Sequence, residues 1–159
     1  MRGILILLVL AACGSDPANV AGDYTVALTD GDNGCMLGGN FMKGNQVTGI
    51  DVTITQSGSS ATALVGGLAG AALTATIGSN SLTGSVDGDQ VTLTHAGTVP
   101  QTQVPACEYT ITAEIDGTLT NDALAGQVRY TAADNGGTGC PSIHGCVSTQ
   151  DFSGSRPPP

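Results

Sequence analysis

From Tyr24 onward the chain alternates apolar with polar side chains at a period of two, the pattern of strands that bury one face. Eight segments carry it: Tyr24 to Thr29, Val47 to Gln56, Ser60 to Val65, Ser81 to Asp87, Gln90 to His95, Cys107 to Thr120, Ala123 to Thr131 and Val147 to Gly154. Gly, Asn, Asp and Ser punctuate them, and no window joins a helical period to a charged face. Leu68 to Ile77 is ambiguous, because its Ala-rich run suits a short helix, a ninth strand or an irregular crossing.

The connections point to the architecture. Ser57-Gly58, Gly88-Asp89 and Asn121-Asp122 are tight, while Asp30 to Gln46, Gly66 to Asn80, Ala96 to Ala106 and Ala132 to Cys146 are long. Long and short alternate strictly along the chain. Consecutive antiparallel strands put alternate connections at opposite ends, so the tight turns share a plain end and the long loops share a mouth. The expectation is an all-β fold, an antiparallel up-and-down eight-stranded β-barrel, with a β-sandwich as the alternative.

A two-residue turn at Asn121-Asp122 pairs Leu119 with Leu124, Gly117 with Gly126, Ile115 with Val128 and Ala113 with Tyr130 on the inner face. Glu114 then meets Arg129 on the outer face. The same construction at Gly88-Asp89 sets Val86 against Val91 and Gly84 against Leu93. Inward glycines let strands coil tightly in a small barrel and, secondarily, leave room for a ligand.

Ahead of the strands, Met1-Arg2 precedes an apolar run from Ile4 to Ala12 that is too short to span a bilayer and reads as a signal segment. Leu10-Ala11-Ala12-Cys13 resembles the lipobox of bacterial lipoproteins; a plain secretory signal with a chance cysteine is the alternative. The resemblance implies that residues 1–12 are removed and that Cys13 becomes the lipidated first residue. It further implies that the lipid membrane is a partner through that lipid, in the cell envelope and most naturally at the outer membrane. The expected organisation is signal peptide 1–12, lipidated cysteine and tether 13–22, barrel 23–155 and disordered tail 156–159.

Removing the signal leaves 147 residues, enough for one domain with its own core. Lys43, Arg129 and Arg156 then stand against 13 dispersed acidic residues, which argues against nucleic acid as a partner and for a monomer with a self-repelling surface. With Cys13 assigned to lipid, Cys35, Cys107, Cys140 and Cys146 form an even set that predicts two disulfides at one rim. The preferred pairing is Cys35 with Cys146 and Cys107 with Cys140. The local pair Cys140 with Cys146 is the rival, and a zinc site is disfavoured by the spacing.

No nucleophile elbow, phosphate loop, His-Glu-x-x-His motif or dinucleotide fingerprint occurs, so no catalytic residue and no cofactor is expected. His95, His144 and Asp32 are acceptable metal-ligand types but read better as solvated or hydrogen-bonded groups. Asp30-Gly31-Asp32-Asn33-Gly34 departs from a calcium loop because Gly34 replaces a ligand and no glutamate closes it. From Gly22-Asp23-Tyr24 through Gly139-Cys140 and Gly145-Cys146 to Phe152-Ser153-Gly154, the chain resembles small lipoproteins of the myxobacterial type, a likeness that implies no activity. Lipocalin-like barrels are a looser analogy, without their tryptophan near the first strand. Two functions follow as expectations: a non-catalytic envelope lipoprotein binding a small or apolar ligand in a lumen lined by Gly84, Gly117, Gly126 and Tyr130, or a structural or display protein whose closed barrel contacts another envelope component.

Overall fold

The alternating segments form strands in the computed structural model of the chain, which describes residues 15–39, 41–103, 107–134, 140 and 143–157, with backbone alone at 101–103 and 107. In chain order the elements are β1 (Gly22–Asn33), β2 (Gln46–Ser57), β3 (Ser60–Val65), α1 (Gly67–Ile77), β4 (Ser81–Asp87), β5 (Gln90–His95), β6 (Gln101–Gln103), β7 (Cys107–Thr120), β8 (Ala123–Asp134) and β9 (Val147–Ser155). The signal segment, Cys13 and Pro158-Pro159 lie outside the described residues.

All pairings are antiparallel: β1 to β5 pair in sequence order, β7 pairs with β8 and β8 with β9, β1 pairs with β9, and β5 pairs directly with β7, while the short β6 pairs with β7 alone. This closes an up-and-down barrel of eight strands. The expected hairpin register is present, with Gly117 opposite Gly126, Ile115 opposite Val128, Glu114 opposite Arg129 and Gly84 opposite Leu93. The third long connection was expected to be plain loop, yet it contains β6. β5 pairs with β7 only as far as Ala113, so the mouth end of β7 lacks a partner there, and β6 pairs with Cys107 to Tyr109. Unpaired ladder groups are costly, which is reason enough for the chain to double back.

Leu68 to Ile77 resolves as helix. Ala-rich sequence favours it, and Gly78 ends it in the left-handed region at φ 92°, its N–H donating to the Thr74 carbonyl. Gly70 and Ile77 are buried, and Ala69 and Leu73 pack on the core, so one helical stripe faces inward. α1 contacts β7 as well as β2 and β3 and so lies across the mouth.

The opposite end is also covered. Residues 15–21, expected as an extended tether, fold against the plain end with Val20 at 0% exposure. Its N–H donates to Gln56 Oε1 (2.7 Å) and its carbonyl accepts from the Tyr24 hydroxyl (3.0 Å). Gln56 Nε2 donates to the Ala18 carbonyl (2.9 Å), and the Ala18 N–H donates to the Gly88 carbonyl (2.7 Å). Arg156, expected to begin a frayed tail, instead joins the two termini: Nε donates to Asp122 Oδ1 (2.9 Å) and NH1 to the Ala21 carbonyl (2.6 Å).

Between these covers the interior is one apolar cluster that includes Tyr24, Ile54, Leu82, Val91, Ile111 and Phe152. The outer wall is polar, with Thr92 donating to Asp116 (3.1 Å), Gln127 to Asp151 (3.0 Å) and Thr53 to Asp23 (2.7 Å). A wall that faces lipid would carry the opposite pattern.

Candidate functional site

The mouth gathers the residues that sequence reasoning singled out, and β1 explains how they are arranged. Between Asp30, which pairs with Gln150, and Asn33, which pairs with Ser148, two residues of β1 (Gly31 and Asp32) oppose one of β9 (Thr149). Such a bulge flips the alternation of faces. Asp30 ends the inward row of Tyr24, Val26 and Leu28 and is buried at 6% exposure, whereas beyond it the Asp32 side chain is turned out, 77% exposed, and bonds Lys43 at 2.8 Å. The two carboxylates that suggested the start of a calcium loop do not converge.

Asp30, Asn33 and Ser148, inward side chains near the bulge, hold the first long loop. Asn33 Oδ1 accepts from the Leu37 N–H (2.8 Å), and Asn33 Nδ2 donates to the Leu37 carbonyl (3.1 Å). The fully buried Ser148 hydroxyl donates to Asn33 Oδ1 (3.0 Å) and accepts from the Cys35 N–H (3.0 Å). Asp30 accepts from Gln150 Nε2 (2.7 Å) and from the Met42 N–H (3.1 Å), so its buried charge is solvated by protein donors. Tyr130 completes the chain of bonds by donating to Gln150 Oε1 (2.8 Å). Burial first, and then the Asp30 charge, raise the Tyr130 phenol well above its ordinary value, which keeps it a neutral donor.

The Cys35–Cys146 disulfide ties this loop to the last one, with a Cα–Cα distance of 5.0 Å across a sequence separation of 111. This excludes the local pairing of Cys140 with Cys146. Two bridges were expected, and the described residues hold one complete bridge. Cys140 is buried and also disulfide-bonded, and the Cys107 side chain lies outside the described residues.

The other candidates stay apart. His144 Nδ1 lies 2.9 Å from Asp134 Oδ2 and Asp32 is taken by Lys43, so the His95, His144 and Asp32 set is not assembled around one point. Among the described residues no cluster of three or more His, Cys, Asp or Glu could hold a metal. Glu114 faces Arg129 at 3.7 Å on the outer wall.

The four lumen positions are occupied by protein. A Cβ on Gly117 would lie 2.9 Å from Phe152 Cζ, and one on Gly126 would lie 2.6 Å from the Gly117 Cα and strike the Asp116 carbonyl. One on Gly84 would lie 2.9 Å from the Leu93 Cα and strike the Thr92 carbonyl. These glycines let neighbouring backbones approach, as tight coiling requires. Tyr130 is buried in the bond chain described above. Two surface depressions among the described residues are open to solvent, one around Thr25, Thr48 and Ser153, the other around Asn19, Asp122 and Arg156, and none of the four residues lines either.

Sequence reasoning missed Asn33, Ser148 and Gln150. The available signal was two polar residues, Ser148 and Gln150, in the inward row that continues to Phe152 and Gly154. It also missed Val20, an isolated apolar side chain in a segment of small and polar residues. No family model, no curated protein and no solved structure matches the chain.

Proposed function

We propose that this chain is a non-catalytic, lipid-anchored protein of the bacterial cell envelope whose closed barrel presents its stapled mouth to another envelope component. The observation that carries the choice of a closed barrel is that both ends are covered, by Val20 and by α1, around an interior of side chains. An eight-stranded barrel either holds one small ligand or is filled, and the filled form favours the contact reading over the ligand-binding one. The anchoring part rests on the lipobox-like Leu10-Ala11-Ala12-Cys13.

The surface supports the mouth as the contact region. The exposed large hydrophobic residues, among those described, are Met36 and Met42 in the first long loop, Val47 at the start of β2, Leu64 near the end of β3 and Leu68 on α1. All belong to the mouth half by strand direction. Leu68 is 91% exposed, and α1 carries no charged side chain. Exposed apolar side chains gathered in the mouth half of a strongly acidic protein suit a neutral, apolar partner surface. Methionine adds adaptability to such a contact.

A photo-crosslinking residue placed at Leu68 or at Thr92 in intact cells tests the reading. Adducts are expected from Leu68 on the mouth and not from Thr92 on the wall. Adducts from Thr92 alone, or a small apolar molecule retained in stoichiometric amount by the purified protein in native mass spectrometry, would overturn it.

A further inference from the structure

The plain end has a structural property that a flexible tether would not confer. Ser15 Oγ donates to Asp87 Oδ1 (3.3 Å), the Ala18 N–H donates to the Gly88 carbonyl (2.7 Å), and Val20 is fully buried. The chain is thus part of the barrel's base from Ser15 onward. Only Gly14 separates Ser15 from Cys13, and two peptide steps reach at most about 7 Å. The Arg156 bonds to Asp122 and to the Ala21 carbonyl hold the same segment from the other terminus.

We propose that the barrel stands directly on the bilayer on its plain end, with residues 15–21 as a folded pedestal. This rests on lipidation of Cys13 and adds an orientation and a contact surface to it. The tight turns Gly58-Ser59 (one residue beyond the expected Ser57-Gly58, since Ser57 pairs with Ser60), Gly88-Asp89 and Asn121-Asp122 face the headgroups. The mouth stands about 30 Å above them, from the 14 residues of β7 at the usual strand rise and barrel tilt. The base exposes Asp16, Asp87 and Asp89, while its cation Arg156 is engaged by Asp122. The surface that fits it is a zwitterionic leaflet, because an anionic one would repel those carboxylates.

The test uses the mature lipidated protein reconstituted into phosphatidylethanolamine–phosphatidylcholine vesicles, with a fluorophore on Ser59→Cys at the base or on Ala71→Cys on α1. Lipids carrying a contact-range quencher on the headgroup should quench the label at 59 and leave that at 71 bright. A Gly-Ser spacer of about 12 residues between Gly14 and Ser15, spanning roughly 20 Å, should abolish the quenching without touching the fold. Phosphatidylglycerol in the vesicles should weaken it, most at low salt. Protein that fails to float with vesicles overturns anchoring and the seating with it. Protein that floats with both labels equally bright, or with quenching indifferent to the spacer, overturns the seating alone. Stronger quenching on anionic vesicles would refute the zwitterionic preference.

Discussion

Replacing both Cys35 and Cys146 with Ala removes the bridge between the first and last long loops while leaving the Ser148 and Asn33 bonds to hold the loop locally. The cross-link closes a chain segment of 111 residues. The loop-entropy relation assigns such a closure about 4.8 kcal/mol, against about 2.4 kcal/mol for a seven-residue loop of the rival Cys140–Cys146 kind. A domain of this size has about 5–15 kcal/mol of stability in all, so the variant should be marginal, with a Tm lower by about 15 °C. The mechanism acts on the unfolded chain, which expands when released. Non-reducing urea titration should therefore show a lower midpoint together with a larger m-value. A loss below about 1 kcal/mol with an unchanged m-value would refute the reasoning, since it would mean that the two ends are already held together in the unfolded ensemble.

Gly126→Ala should destabilise by about 2 kcal/mol or more because its Cβ has no room against the Asp116 and Gly117 backbone, whereas Gly38→Ala, in open space, should fall within about 0.5 kcal/mol; equal effects would remove close strand approach as the reason for glycine at 126. Arg156→Ala breaks a charged bond to Asp122 and one to the Ala21 carbonyl, so about 1–3 kcal/mol should be lost and protease should cut within residues 15–21 sooner; unchanged protection there would contradict the latch. The raised Tyr130 phenol keeps its proton in the folded state when the unfolded chain releases its own, so this group leaves stability level below about pH 10 and lowers it above, by up to about 1.4 kcal/mol per pH unit. Phenolate absorbance should show a late step that Tyr130→Phe removes, and ionisation of Tyr130 at its ordinary value would refute this.

The barrel was legible because strand sequence, turn residues and alternating connection lengths all agree. Ser60–Val65, Ser81–Asp87 and Gln90–His95 keep their expected bounds, each closed by a turn whose chemistry is visible in the residues. α1 was not legible, since its outward face of Leu68, Ala71, Ala72 and Ala75 is as apolar as its buried stripe and leaves no contrast to read. The folding of residues 15–21 was hidden for a different reason: its bonds come from Gln56, Gly88 and Arg156, none of them near in sequence. At the mouth the cysteine positions were readable by strand parity. The outward turn of Asp32 and the inward turn of Asn33 were not, because the bulge that follows Asp30 has no signature beyond Gly31 and Gly34, whose Cβ atoms would meet Thr149 and Val147 on β9.

Anchoring through Cys13 is the central claim. Its most direct test is the intact mass and membrane partition of the mature protein and of Cys13→Ser. The account predicts a wild-type chain that begins at Cys13, carries acyl mass and stays with membranes through a high-salt wash, and a Cys13→Ser chain that is released. A mature wild-type chain without acyl mass, or a Cys13→Ser protein that remains in the washed membranes, would contradict it.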